Sequence, residues 1–113
     1  MLIKKKDAKK FHNSKNCTVY EYNTSSKILS AATALINERY PDKGKSVNTK
    51  CEETYYVISG SGIIHTDKGE FKITKGDVYF FKKNEKYWVE GKKLFIYLSN
   101  SPSWYPEQYK NIE

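Results

Sequence analysis

Turn signals recur at short, even intervals through the second half of this 113-residue chain. They lie at residues 60–62, 67–69, 75–77, 83–85 and 91–92. The segments between them are rich in Ile, Val, Phe, Tyr, Trp and Thr, the residues that favour β-strands. Each segment is too short to be stable alone, so the strands must pair into a barrel or a pair of sheets. The strands predicted here are Ile63–Thr66, Glu70–Thr74, Val78–Phe81, Lys86–Glu90 and Leu94–Ser99.

The first half of the chain predicts three more strands. Cys17–Tyr22 and Glu52–Ser59 have the same β-favouring composition. Ile28–Arg39 has an alanine-rich centre that favours a helix by propensity. It has no helix cap and no amphipathic stripe, and Tyr40-Pro41 ends it. We therefore predict a long buried strand there and an all-β fold for the chain.

The length of the chain indicates one domain with a modest core. Residues 1–16 are predicted to be an N-terminal arm or edge strand, and residues 17–99 the barrel. Residues 100–113 contain two prolines, which exclude a central strand, together with Trp104 and other aromatic residues. We predict that this tail packs on the barrel.

The net charge is +7, from 20 basic and 13 acidic residues, which raises the possibility of a nucleic-acid partner. Nineteen of the basic residues are lysines, scattered along the chain, and Arg39 is the only arginine. Arginine makes most bidentate contacts to guanine and phosphate, so no specific nucleic-acid binding is expected. No apolar run is long enough to cross a membrane or to serve as a signal peptide, so a cytoplasmic location is expected. Cys17 and Cys51 are then predicted to be free thiols.

A sequence motif surrounds Glu53. The stretch Glu-Glu-Thr-Tyr-Tyr-Val-Ile-Ser-Gly-Ser-Gly occupies residues 52–62, and Lys-Gly-Asp-Val follows at residues 75–78. Residues 44–62 resemble the first motif of the cupin family, and residues 69–88 resemble the second. The tail, residues 102–108, is similar to that of certain small single-domain cupins. The resemblance implies a cupin-type double-stranded β-helix, a jelly-roll barrel of the RmlC-like superfamily.

The resemblance also locates the metal ligands that many cupins share. Two histidines and a glutamate come from the first motif, and a third histidine comes from the second. The corresponding residues here are Val47, Thr49, Glu53 and Tyr87, so the histidines are replaced. A transition metal needs three or four converging N, O or S donors, and no cofactor is therefore expected. Cys51, at the same strand parity as Glu53, leaves a divalent metal as a weaker possibility.

A cupin barrel implies a pocket at its mouth for a small molecule. Burial is expected to raise the pKa of Glu53, and the hydroxyl of Tyr87 is placed to hydrogen-bond it. These two residues are the candidates for catalysis, although the sequence does not decide whether the protein is an enzyme. Trp88 or Trp104 is expected at the rim. The predicted lining is Val47, Thr49, Cys51, Glu53, Tyr55, Val57, Tyr87 and Val89.

The leading hypothesis is a protein that binds a small polar molecule, a sugar or small metabolite, in the barrel without a metal. The first alternative is a small enzyme of isomerase, epimerase or lyase type. It would use Glu53 and Tyr87, either metal-free or with an atypical divalent metal. The second alternative is lysine-driven association with nucleic acid.

The remaining histidines and aromatics suggest surface roles. Alternation predicts that His65 faces outward, to solvent or an interface, and His12 lies in a polar stretch that predicts a loop. A set of apolar and aromatic residues alternates with the predicted inward set. Such a face is covered either by a second sheet layer or by a partner subunit. Because the resemblance to cupins also implies homodimers, we predict a homodimer. The set is Tyr56, Ile58, Tyr79, Phe81, Phe95 and Tyr97.

Overall fold

Nine β-strands make up the computed structural model, which describes residues 1–113. Two short 3-10 helices, Lys5–Asp7 and Pro106–Gln108, flank the strands, and neither is long and apolar enough to cross a membrane. The prediction of an all-β chain is confirmed. The strands are β1 Lys9–Ser14, β2 Cys17–Tyr22, β3 Ser30–Tyr40, β4 Lys45–Asn48, β5 Glu52–Thr66, β6 Gly69–Thr74, β7 Val78–Phe81, β8 Lys86–Ser101 and β9 Tyr109–Ile112.

All strand pairs are antiparallel and belong to one curled sheet. One path through it runs β1-β2-β3-β8-β4-β9, and β5 pairs with β6, β7 and β8. The long strands β5 and β8 pair along most of their length, so they form the spine of the barrel. The tail contributes β9, which pairs with β4.

Two predicted turns are irregularities within continuous strands. Residues 60–62 lie inside β5 and residues 91–92 lie inside β8, so the four strands predicted around them merge into two. The register between β5 and β8 shifts twice between Val57 and Ser61. The first shift leaves Ile58 as the extra residue on β5, and the second leaves an extra residue on β8 opposite Gly60, which has φ +77°. Glycine permits a turn and a bulge equally well, which is why the local pattern misled the prediction.

The segment predicted as a long buried strand is β3. Its inner residues Ala32, Ala34 and Ile36 are buried. Strand pairing overrides its helix propensity, because β2 pairs with one edge of β3 and β8 pairs with the other. The N-terminal arm ends in the edge strand β1. His12 therefore lies in a strand and not in the predicted loop, with its Nδ1 3.2 Å from the Thr18 hydroxyl.

The core fills the inside of the curled sheet. Phe81 is buried there, and Tyr79 packs against it, so the prediction that both face outward was wrong. The register explains the difference, because Phe81 pairs with Glu53 and Tyr79 pairs with Tyr55, which lie on the inner face. Val78 and Phe80 face outward instead, with 60% and 49% of their surface exposed.

His65 lies on the outside of the barrel, as the alternation predicted, but it is not exposed. Its ring stacks on Trp88, with 3.6 Å between ring centroids and 4° between planes. The guanidinium of Arg39 lies 4.0 Å from the centroid of the Trp88 ring. Glu70 and Glu90 each place a carboxylate oxygen 3.3 Å from a ring nitrogen of His65. The stacked rings and these carboxylates cover the histidine, so only 11% of its side chain is exposed.

Candidate functional site

The barrel encloses a cavity of about 540 Å³ that opens to the surface. Small side chains on β3, such as Ala32 and Ala34, leave this space between β3 and the polar residues opposite. The deep part of the cavity is formed by four strands, β2, β3, β5 and β8. Its lining there comprises Cys17, Val19, Ala32, Ala34, Ile36, Glu53, Tyr55, Tyr87, Leu98 and Asn100. The lining also includes residues of the loop after β3 and of the tail, namely Tyr40, Pro41, Asp42, Lys43, Trp104, Tyr109, Asn111 and Glu113.

Glu53 is the buried acid of this cavity, with 5% of its surface exposed. Three side chains donate hydrogen bonds to its carboxylate. The amide of Asn100 donates to Oε2 at 2.9 Å, the hydroxyl of Tyr87 donates to Oε1 at 3.3 Å, and the amide of Asn48 donates to Oε1 at 3.4 Å. Asn100 is the direct cross-strand partner of Glu53 on β8, so the strand register sets the shortest of these contacts.

Burial raises the pKa of Glu53 from 4.5 to about 7. Taking the carboxylate out of water favours its neutral form, while the hydrogen bonds from Asn100, Tyr87 and Asn48 partly stabilise the charge. A carboxyl with a pKa near neutrality holds or releases a proton with little cost at pH 7. It therefore meets the main requirement for a general acid or base.

Four tyrosines line the same cavity: Tyr40, Tyr55, Tyr87 and Tyr109. Burial raises the pKa of the first three well above 10, so their phenols are neutral hydrogen-bond donors at pH 7. The hydroxyl of Tyr40 donates to that of Tyr109 at 3.4 Å. Burial and the nearby Glu53 raise the pKa of the Cys17 thiol to about 12, so this group is uncharged as well.

Of the eight residues predicted to line the pocket, the structure brings three together there: Glu53, Tyr55 and Tyr87. Val57 and Val89 are fully buried in the core but do not line the cavity. At the predicted rim, Trp104 lines the cavity and Trp88 does not.

Three predicted lining residues lie away from the cavity. Val47 is buried in β4, Thr49 donates a hydrogen bond from its hydroxyl to the backbone of Gln108, and the thiol of Cys51 contacts the carbonyl of Pro102 at 3.2 Å. The alternation argument fails because residues 49–51 are not in a strand, so parity does not carry from β4 into β5. Desolvation, followed by the effect of the Glu53 charge, raises the pKa of Cys51 to about 11.

The surroundings of Glu53 do not fit a divalent cation. Its carboxylate meets N–H and O–H donors from Asn100, Asn48 and Tyr87, where a metal site needs converging lone pairs. Cys51, the other weak candidate, is directed toward the backbone of the tail. The structure has no group of three or more His, Cys, Asp or Glu side chains placed to hold a metal ion.

Sequence reasoning missed the amides around Glu53 and the contribution of the tail. Asn48 and Asn100 are polar residues at the ends of strands, with nothing local to mark them as inward-facing. Each is almost fully buried, at 3% and 1% exposure. The one sequence signal was a buried glutamate, which requires donors to satisfy it. Naming those donors needs the register between distant strands.

Known protein structures share this fold, although no family model and no curated protein matches the sequence. Streptomyces PAC13, a nucleoside dehydratase, superposes with a TM-score of 0.89 at 14% identity, over 100% of this chain and 91% of that one. Ectoine synthase from P. lautus gives 0.75 at 18% identity, over 100% and 91%. An RmlC-like cupin from Shewanella frigidimarina gives 0.69 at 14% identity, over 87% and 86%. The chain therefore has the RmlC-like cupin fold that its motifs predicted.

Proposed function

We propose that the cavity binds a small molecule rich in hydroxyl groups, of the sugar or nucleoside class, and that Glu53 and Tyr87 exchange protons with it. The observation that supports this most directly is a buried carboxyl with a pKa of about 7 that faces a cavity lined by neutral phenols. A group of this kind costs folding free energy, and such groups concentrate at functional sites.

The size and chemistry of the cavity support a ligand of this class. A volume of about 540 Å³ is in the range of small-molecule sites, which combine apolar walls with a few converging polar groups. Alanines and Ile36 form one wall, and the polar atoms of Glu53, Asn100 and Tyr87 form the other. PAC13 was solved with uridine in variants with Tyr-to-Phe and His-to-Gln changes, which makes a nucleoside the first ligand to test.

The same pair of groups supports a lyase-type reaction as the second candidate function. With a ligand of this class that also carries a carbonyl group, the ionised Glu53 accepts a proton from the carbon next to the carbonyl. The neutral Tyr87 donates its proton to the hydroxyl group on the following carbon, which leaves as water. The C–H and C–O bonds break and a C=C bond forms. The hydrogen bond from Tyr87 to Glu53 is the path by which the proton returns to the phenol.

Calorimetric titration with uridine and with ribose tests the binding site. We expect one molecule to bind per chain, and Tyr87→Phe to weaken binding about fivefold, since a lost hydrogen bond to a ligand or to Glu53 costs about 1 kcal/mol. Tyr20→Phe is the matched control, because Tyr20 lies outside the cavity beneath Lys5. The proposed site would be contradicted if neither ligand gave a detectable heat of binding, or if the wild type and Tyr87→Phe bound equally well.

We also propose that two copies of the chain associate through the outer face of the sheet. Four adjacent strands, in the order β3-β8-β5-β7, present a continuous row of Thr33, Tyr97, Tyr56 and Val78. The outer face comprises Thr33, Leu35, Thr54, Tyr56, Val78, Phe80, Phe95, Tyr97 and Ser99. Apart from the exposed Glu52 at its edge, it has no charged residue in a chain that is 29% charged with a net charge of +7. An acidic partner would need cations there, whereas a second copy can join through this face and keep its lysines apart.

Sedimentation equilibrium tests this interface. The wild type is expected to have twice the 13.2 kDa mass of one chain. Tyr97→Lys places two unpaired charges in the contact and is expected to give a single-chain mass. Tyr105→Lys, on an exposed tyrosine outside the outer face, is expected to remain dimeric. A wild-type mass of 13.2 kDa would refute the proposed dimer.

A further inference from the structure

Gln108, in the tail, is one of the most deeply buried polar residues of the protein, with 1% of its surface exposed. It ends the 3-10 helix Pro106–Gln108, and its side chain enters the space between β4 and β5. Its Oε1 accepts hydrogen bonds from the backbone N–H groups of Lys50 and Cys51, each at 3.2 Å. Its Nε2 donates to Oδ1 of Asn48 at 2.9 Å.

These contacts determine which way two amides point. A backbone N–H can only donate, so the Gln108 atom that meets Lys50 and Cys51 is an oxygen. The other end of Gln108 is then an NH₂ group, which can only donate, so Asn48 must present its oxygen to it. The NH₂ group of Asn48 is left facing the carboxylate of Glu53. The peptide backbone at residues 50 and 51 therefore sets the orientation of a donor in the cavity.

We infer that Gln108 is a positioning residue of the site, which holds the Asn48 amide with its NH₂ group toward Glu53. Gln108 does not line the cavity and acts only through Asn48. The inference rests on the proposed function in one respect only, that Glu53 is the group whose proton is used. The contacts themselves hold whatever the ligand is.

Replacing Gln108 by glutamate is expected to reverse the direction of the hydrogen bonds that link position 108, Asn48 and Glu53. An introduced carboxylate still accepts from the N–H groups of Lys50 and Cys51, but its second oxygen also accepts. Asn48 must then turn its NH₂ group toward position 108 and its oxygen toward Glu53. The carboxylate of Glu53 loses a donor and gains a repulsive oxygen, so its neutral form is favoured. The other titratable groups near Glu53, namely Tyr55, Tyr87, Cys17 and Cys51, have raised pKa values and stay neutral through this range.

Carbon-13 NMR of glutamate-labelled protein measures the pKa of Glu53 directly and needs no ligand. The Glu53 carboxyl signal is identified by its absence in Glu53→Gln. We expect Gln108→Glu to raise the pKa of Glu53 by about one unit or more, and Gln108→Met, which frees the Asn48 amide, to raise it less. Glu107→Gln changes an exposed neighbour in the tail and is expected to leave the Glu53 titration in place.

Two outcomes separate this inference from the proposed function. A Glu53 pKa that is the same in wild type, Gln108→Glu and Gln108→Met would overturn the positioning role, even if both variants melt at lower temperature, because packing alone lowers stability without moving this titration. If Gln108→Glu does not fold, the Gln108→Met titration decides alone. A raised pKa together with failed ligand titrations would support the positioning role and refute the proposed ligand.

Discussion

The free energy of unfolding is expected to fall by about 3 kcal/mol between about pH 4 and about pH 8 through the titration of Glu53 alone. Burial raises the pKa of this carboxyl from 4.5 to about 7, so the folded protein holds the proton more tightly than the unfolded chain. Unfolding in this interval releases a proton, and stability therefore decreases as the pH rises. Below the interval both states are protonated, and above it both are ionised, so the contribution is constant outside it.

Urea denaturation at a series of pH values measures this effect as the difference between wild type and Glu53→Gln. The variant keeps the shape of the side chain but cannot ionise, so it is expected to lack this decrease with pH. The pKa values of Cys17 and Cys51 are raised to about 12 and about 11, so these thiols do not ionise within this pH interval. Glu107→Gln, on the surface, is expected to retain the wild-type slope. Parallel curves for wild type and Glu53→Gln would contradict the raised pKa.

Gly60→Ala is expected to destabilise the fold by about 4 kcal/mol. Gly60 lies in β5 opposite the bulge in β8, at φ +77°, a conformation that costs an alanine about 1–2 kcal/mol. A Cβ atom there would lie 1.9 Å from the carbonyl oxygen of Lys93, which belongs to the backbone of β8. Relief requires the two spine strands to separate, and their pairing is the longest in the barrel.

Gly76→Ala is the matched control for this substitution. Gly76 also has a positive φ, at +90°, but a Cβ atom there meets nothing within 4 Å. Its cost is expected to be that of the backbone conformation alone, about 1–2 kcal/mol. Urea midpoints for the two variants separate backbone strain from steric conflict. If both variants lost the same free energy of unfolding, β5 and β8 would separate at the bulge without an energetic penalty.

The strands were predictable because their signals are local. Alternating β-favouring residues and turn residues lie within a few positions of each other, and the motif around Glu53 fixes the fold through its spacing. The bulges near Gly60 and Gly91 were not predictable, because a glycine within a strand pattern has the same local signature as a glycine in a turn. The difference depends on the partner strand, which comes within 2.3 Å of a Cβ atom added at Gly91.

The site was predictable only where one strand determines it. Glu53 and Tyr55 share the inner face of β5, and the family resemblance placed Tyr87 opposite them. The donors to Glu53 come from β4 and from the far end of β8, and Gln108 comes from the tail. Their meeting depends on register across residues that are 47 and 60 positions apart in sequence. No periodicity in a single segment contains that information.

The pairing of β9 with β4 has a consequence for the order of events during synthesis. A nascent chain that has left the ribosome as far as Ser101 contains all of β1 through β8, including the spine of the barrel. It lacks Gln108, which orients Asn48, and Tyr109, which forms part of the cavity wall. All eight earlier strands of the barrel are thus synthesised before the tail residues that complete its binding site.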